Sequence, residues 1–347
     1  MSALGLVGRW PAWLRAGAFV LGQTIVLTAP LAYFLDDYVY GSFPTIDKAG
    51  SMAFYLDGLH HRVMAHPIDS IQDPAARLVG VHVGHLWVTW IFDWLFSPMG
   101  AFNAQALLYP FMAWWVASLL FYDLTGNLRG SVLMSFPFGL GLHVFRDLNW
   151  YTIEKAAIFW IPLFLLMLHR VWRDGGRWTY AAPLVLLLST WMNIYLGMLN
   201  AGFMVLALLA VLWVRDKAIR RFGLTCALCV VAIAPLVFWQ WLMLRVGPQL
   251  GTPETFLWER AALDTFTLSP PRWNRLEAHR ALNLVVLGVA FWGFHRIRWV
   301  GMIRFLLVVA IIFFGLSLGP FLDSDGTKNP LYLVTRAIVP GFWRVAK

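Results

Sequence analysis

Charge is what this sequence has least of. Only 13% of its 347 residues are Asp, Glu, Lys or Arg, about half the ~25% of an ordinary soluble domain. The apolar fraction is 60% and the mean hydropathy is +0.66. A soluble fold cannot hide that much apolar surface, because its wet exterior must be covered. Soluble, disordered, collagen-like and disulfide-rich secreted classes are excluded. What is left is a polytopic integral membrane protein.

Cysteine is nearly absent as well. Cys226 and Cys229 are the only two, in a C-x-x-C inside an apolar run. A redox pair wants a helix N-terminus and some exposure, so these read as two small core thiols. There is no G-x-G-x-x-G, Walker A, H-E-x-x-H or G-x-S-x-G, which leaves nucleotide, zinc-protease and serine-hydrolase readings without support. No soluble domain, low-complexity tract, internal repeat, transit peptide or lipidation motif is visible. The first apolar run, 16–35, is too long for a signal-peptide core and has no clear small-x-small cleavage site, so it is expected to stay as a signal anchor.

Long apolar runs are present in number. A spanning helix needs about 20 such residues, with a range of about 17–25. Candidate segments are 14–35, 81–96, 103–122, 131–145, 156–168, 180–193, 198–214, 223–244, 281–294 and 300–320, with a further run at 331–343. Pro30, Pro110, Pro137, Pro162, Pro183 and Pro235 lie inside them, which membrane helices tolerate because neighbours satisfy the freed carbonyls. The 20 Trp suit interfacial belts and lipid-facing surface.

The net charge is +9, and its placement points to topology rather than to nucleic acid. Arg170, Arg173 and Arg177 lie in 169–178, Arg215, Lys217, Arg220 and Arg221 in 215–222, and Arg296 and Arg298 in 295–299. All three loops are expected in the cytoplasm, as is the N-terminus with Arg9 and Arg15. If every early candidate crossed, 169–178 would fall outside, so one must fail to cross. The short segment 81–96, with His82, His85 and Asp93, is expected to lie at the interface or to re-enter. A wholly inverted chain is the alternative. The outer face then collects 36–102, 146–155, 194–197, 245–280 and 321–335. Its one long polar stretch, 36–79, carries Asp36, Asp37, Asp47, Asp57, Asp69 and Asp73.

That stretch and its continuation read P-T-I-D-K-A-G-S-M-A-F-Y-L-D-G-L-H-H, D-P-A-A-R-L-V-G-V-H-V-G-H-L-W and F-S-P-M-G-A-F-N-A-Q-A-L-L-Y-P-F. This resembles the GT-C superfamily of polytopic membrane glycosyltransferases. There an acidic residue follows the first membrane helix, amphipathic loop helices come next, and a glycine with an asparagine or arginine opens the following helix. Asp47 occupies the acidic position, and Gly100 and Asn103 the helix-opening ones. The stretches 143–168 and 329–345 are similar to an outer loop with its proline-bearing helix and to a late segment of such proteins. Pro74-Ala75-Ala76 stands where a proline-x-glycine is often found. The chain ends at Lys347 straight after F-W-R-V-A, where the resemblance implies more residues, so a C-terminal part is expected to be missing.

The resemblance implies transfer of a sugar from a polyprenyl-phosphate donor to a lipid or glycan acceptor at the outer face of a bacterial inner membrane. Such chemistry needs a carboxylate to take the acceptor's proton; Asp47 is the first choice, with Asp36 and Asp37 behind it. A solvated loop acid, or a partner of Lys48, is the bland reading. Developing charge on the leaving phosphate wants fixed cations, for which Arg146, Lys155, Arg272, Arg275 and Arg280 are candidates, though any single one is more often an interfacial anchor. Asp147 and Glu154 bracket Trp150 and Tyr151, a composition that suits a sugar and also a plain membrane interface. His82 and His85 share a helix face and with Asp73 or Asp93 could hold a divalent metal, or serve as hydrogen-bonded structure.

The expected fold is all-α, a polytopic transmembrane helical bundle of about ten membrane segments with amphipathic helices in the first outer loop, 36–80. It forms a single integral membrane domain over 1–347. Expected partners are the polyprenyl-phosphate-linked sugar, its acceptor and membrane lipids, and not nucleic acid. A transporter or lipid flippase is the main rival, and a non-catalytic assembly subunit the third reading.

Overall fold

The computed structural model describes residues 11–29, 83–141, 156–214, 218–246, 311–312, 329–331 and 333–334. The chain divides into two units, Met1–Pro248 and Gln249–Lys347. Among the described residues there is no strand; 311–312, 330–331 and 333–334 of the second unit are helical, and eight helices with described bounds lie in the first. They are α1 (Ala12–Leu27), α2 (Val83–Asp93), α3 (Pro98–Thr125), α4 (Leu128–Leu140), α5 (Trp160–Arg173), α6 (Trp178–Met192), α7 (Ile194–Val214) and α8 (Ile219–Val246). An all-helical answer is what apolar sequence demands in lipid, where each backbone N–H and C=O must find its partner inside the segment.

Three helices are long and apolar enough to cross a membrane: Met99–Thr125 in α3, Leu196–Trp213 in α7 and Ile219–Leu236 in α8. They make this a membrane protein by length and composition. Over half of the apolar stretch of α3 is buried, against 17% for α8, so α3 is the central post and α8 lies at the rim. Outward-facing Trp13, Phe19, Leu133, Val205, Trp213 and Val231 are all more than half exposed or close to it, the surface that hydrocarbon would cover.

Local chemistry sets the helix ends. Ser97 caps α3 by accepting the Gly100 N–H at 3.1 Å, with Pro98 at the first helical position. Gly126 ends α3 at φ +71°, the left-handed stop that only glycine adopts without a Cβ penalty. Asn127 then caps α4 by accepting the Gly130 N–H at 3.1 Å. Two residues join α3 to α4, so the pair must fold back as an antiparallel hairpin. The Trp114 indole N–H donates to the Val132 carbonyl at 2.8 Å, the Ser118 and Ser135 hydroxyls meet at 2.6 Å, and Gly139 lies against Trp114 and the Pro110 carbonyl. α1 packs on the same post, with the Trp115 N–H donating to the Trp13 carbonyl at 3.0 Å and Gly17 under the Trp115 ring.

The segment expected to fail to cross forms an 11-residue helix, α2, about 16 Å long against a hydrocarbon core of about 30 Å. It runs antiparallel beside the first half of α3, since His85 meets Tyr109 and Thr89 meets Gln105. Two further segments begin and end away from their expected positions. The run 131–145 gives a helix over Leu128–Leu140, and 156–168 gives one over Trp160–Arg173, because the Asn127 cap and the turn before Trp160 set the boundaries rather than hydropathy. The first outer loop, the amphipathic helices expected in it, and the segments 281–294 and 300–320, apart from 311–312, lie outside the described residues.

Candidate functional site

Two polar constellations interrupt the apolar bundle, one at the helix ends and one halfway up α3. At the ends, Asp123 near the C-terminus of α3 faces the C-terminus of α5. Its carboxylate lies 3.3 Å from Arg173, 3.4 Å from Arg170 and 3.6 Å from His169. In the following turn Asp174 accepts two hydrogen bonds from Arg173, both 2.8 Å, and these hold its carboxyl below the usual carboxylate range. The left-handed Gly175 lies against the Arg221 side chain at the start of α8. Arg129 opens α4 directly after the end of α3. The basic stretches around Arg129, 170–177 and 220–221 therefore share one end of the first unit, the arrangement the loop-charge argument asks for.

The second constellation lies where α2 and α5 begin and α6 ends. The Tyr109–Phe159 ring contact, 6.0 Å between centroids, puts the start of α5 beside the middle of α3. Fourteen residues separate Tyr109 from Asp123, about 21 Å of helix, and α5 has the same 14 residues. α2 abuts the end of α6, with Gly84 pressed on Met192 and Trp87 beside Trp191 at 6.1 Å.

At this level the polar side chains are buried. The Tyr109 hydroxyl lies 2.5 Å from His85 Nδ1 and accepts from Gln105 Nε2 at 2.5 Å. Gln105 also donates to the His85 carbonyl at 3.1 Å, and Thr89 donates to Gln105 Oε1 at 2.6 Å. His85, Thr89, Gln105 and Tyr109 are all completely buried. Beside them Asn200 on α7 donates to Ser189 on α6 at 3.0 Å and to the Trp160 carbonyl at 3.4 Å. Such groups are costly to bury alone and tie helices together once paired. The described side chains of this layer are hydroxyls, amides and one imidazole. It can bind by hydrogen bonds, and among its described groups His85 is the one imidazole.

No protein-family model, curated protein or solved structure matches this chain.

Function therefore has to be argued from residues and not from fold. Of the residues singled out in the sequence, His85 is placed in the buried layer. Gly100 and Asn103 lie in the first two turns of α3, both buried. Asp93 ends α2, half-buried. Asp36, Asp37, Asp47, His82, Arg146, Asp147, Trp150, Tyr151, Glu154, Lys155, Arg272, Arg275 and Arg280 lie outside the described residues. Among the described residues no group of three His, Cys, Asp or Glu side chains is placed to hold a metal. The two thiols are free, Cys229 buried and Cys226 half-buried on α8. Thr89, Gln105, Tyr109, Ser189 and Asn200 went unnoticed in the sequence. The signal was there in the i, i+4 pairs His85/Thr89 and Gln105/Tyr109, each a polar stripe on an apolar helix.

Proposed function

We propose that the chain is a membrane glycosyltransferase of GT-C type that moves a sugar from a polyprenyl-phosphate donor to a lipid or glycan acceptor at the face opposite its arginine-rich end. One observation carries the reading beyond hydropathy. α3 opens within F-S-P-M-G-A-F-N, with Ser97 capping Gly100, so Gly100 and Asn103 occupy the opening turns of a helix as the resemblance implies for their positions. That opening is also at the far end of α3 from Asp123 and the arginines. The acidic stretch 36–79 precedes α2 in the chain, and α2 turns into α3 at this same end.

In this reading the acceptor oxygen attacks the anomeric carbon as its proton passes to Asp47, with Asp36 and Asp37 as alternates. The bond from that carbon to the phosphate oxygen breaks, and polyprenyl phosphate leaves with the electron pair. Arg146, Lys155, Arg272 and Arg275 are the cations available to the leaving phosphate. Asp147, Trp150, Tyr151 and Glu154 are the sugar-binding set. The bilayer is taken to be a bacterial inner membrane. The test is transfer from radiolabelled polyprenyl-phosphate sugars to a membrane lipid extract by protein purified in lipid. Wild type transfers and Asp47→Asn loses at least about 100-fold, the lower range for a general base. Equal transfer by both rejects Asp47, and none by either rejects the enzyme.

One observation favours a second reading. His85 is an ionisable group buried on α2 beside the middle of the spanning helix α3, and such groups line proton and ion paths. A transporter would show His85-dependent uptake into vesicles, which the transferase would not.

A further inference from the structure

Among the described residues, the arginine-rich end carries more arginines than carboxylates. Six arginines gather there, Arg129, Arg170, Arg173, Arg177, Arg220 and Arg221, with Asp123 and Asp174 as the described carboxylates. Asp123 is divided among His169, Arg170 and Arg173, and Asp174 is taken by Arg173. No described carboxylate pairs with Arg177. The Arg170 guanidinium also keeps a buried Nε with no hydrogen-bond partner.

Both of these arginines lie against one aromatic ring. The Arg170 guanidinium lies 4.5 Å and the Arg177 guanidinium 4.7 Å from the centroid of Trp178. Arg170 already faces the Asp123 carboxylate at 3.4 Å, whereas among the described residues the cation on Arg177 has only the ring, so an added anion near it would supply the missing counter-charge. The guanidinium fork suits phosphate oxygens. Directly along α6, Arg177, Tyr180 and Leu184 fall at i, i+3 and i+7 on one face. Tyr180 is 65% and Leu184 55% exposed. A phosphate at the helix end with an outward apolar stripe running from it into the bilayer has the shape of a lipid, and Trp and Tyr at this depth are the usual headgroup-level residues.

We infer that the α5–α6 turn binds the headgroup of an anionic glycerophospholipid, with Arg170 and Arg177 holding its phosphate and Tyr180 and Leu184 carrying the start of an acyl chain. Charge decides the class. The uncompensated arginines attract a net anion, whereas a zwitterionic headgroup brings an ammonium into the same field.

The experiment is native mass spectrometry and thermal unfolding of the full chain in a neutral detergent with phosphatidylglycerol, phosphatidylcholine or inorganic phosphate. Wild type is expected to retain phosphatidylglycerol over phosphatidylcholine, to melt higher with it, and to gain nothing from phosphate. Arg177→Gln is expected to weaken retention about tenfold, the equivalent of one charge-assisted hydrogen bond. Arg129→Gln, at the same end but on α4, leaves it within about twofold, as no phosphate contact is lost. Equal retention of the two lipids by wild type overturns the proposal without any variant. So does an equal loss in both variants, which means diffuse charge, and so does full stabilisation by phosphate alone, which means a free-anion site.

Discussion

Single residues in this bundle matter most where two helices touch through a glycine. A Cβ at Gly139 would sit 2.4 Å from the Trp114 Cβ and 2.5 Å from the Pro110 carbonyl oxygen. Backbone and Cβ atoms cannot step aside as a flexible side chain can, so α4 has to move off α3. Gly139→Ala is expected to cost about 1–3 kcal/mol. Gly22 on α1 has nothing within 4 Å of the same added atom, and Gly22→Ala should gain up to about 1 kcal/mol from helix propensity. Thermal unfolding in one detergent checks both, and a loss at Gly22 as large as that at Gly139 refutes the packing argument. Tyr109 offers the parallel case for polarity. Tyr109→Phe keeps the ring but removes the hydroxyl shared by His85 and Gln105. It should cost about 1–3 kcal/mol, the penalty for stranding buried polar groups. An unchanged melting temperature would mean that the network contributes nothing to stability.

At the scale of elements, α3 and α5 are tied at one end by Asp123 and at the other by apolar contact between Tyr109 and Phe159. The Asp123 side chain is only 11% exposed, while Arg170 and Arg173 are 27% and 47% exposed. The pair falls between a surface bridge and a buried one. Asp123→Asn should cost about 1–3 kcal/mol, above the surface range and below the fully buried one. Asp174 is exposed and pairs with its own neighbour Arg173, so Asp174→Asn should leave the melting temperature unchanged. The sequence foretold part of this framework. Its apolar runs 103–122, 198–214 and 223–244 fall inside α3, α7 and α8, because hydropathy alone decides that a 20-residue apolar segment is helical in lipid. Pro110, Pro137, Pro183 and Pro235 lie within helices, while Pro162 stands in the first turn of α5, where a missing N–H costs nothing. Pairing was not legible. His85 and Tyr109 are 24 residues apart and Ser189 and Asn200 are 11 apart, and nothing in either stretch fixes the register that brings them together. His85 therefore read as hydrogen-bonded structure with no partner named or as half of a metal pair, and in the fold it is hydrogen-bonded to Tyr109.

The whole molecule adds a constraint that no element carries alone. Within the first unit, the described part of α2 is 11 residues long, and Asp123, Asp174, Gly175, Arg129 and Arg221 collect at one end through ion pairs and close packing. Positively charged loops are retained in the cytoplasm, so this end is expected to face inward and the Ser97 end outward. The geometry turns that into a parity statement. α3, α5 and α6 each have an end at the arginines, so Asn127 and Asp174 must share a compartment whichever way the chain is inserted, and Phe96 must be in the other. Single cysteines at Asn127, Asp174 and Phe96, placed in a chain with Cys226 and Cys229 replaced by serine, can be probed in intact cells with a membrane-impermeant maleimide. Label is expected at Phe96→Cys only, and at Asn127→Cys and Asp174→Cys only after the cells are opened. Label at Asn127 and Asp174 from outside, with Phe96 protected, would keep the bundle and invert the chain, moving the arginine-rich end to the outer leaflet. Label at Asn127 and Asp174 from opposite sides would break the bundle itself, because the ion pairs of Asp123 join those two turns.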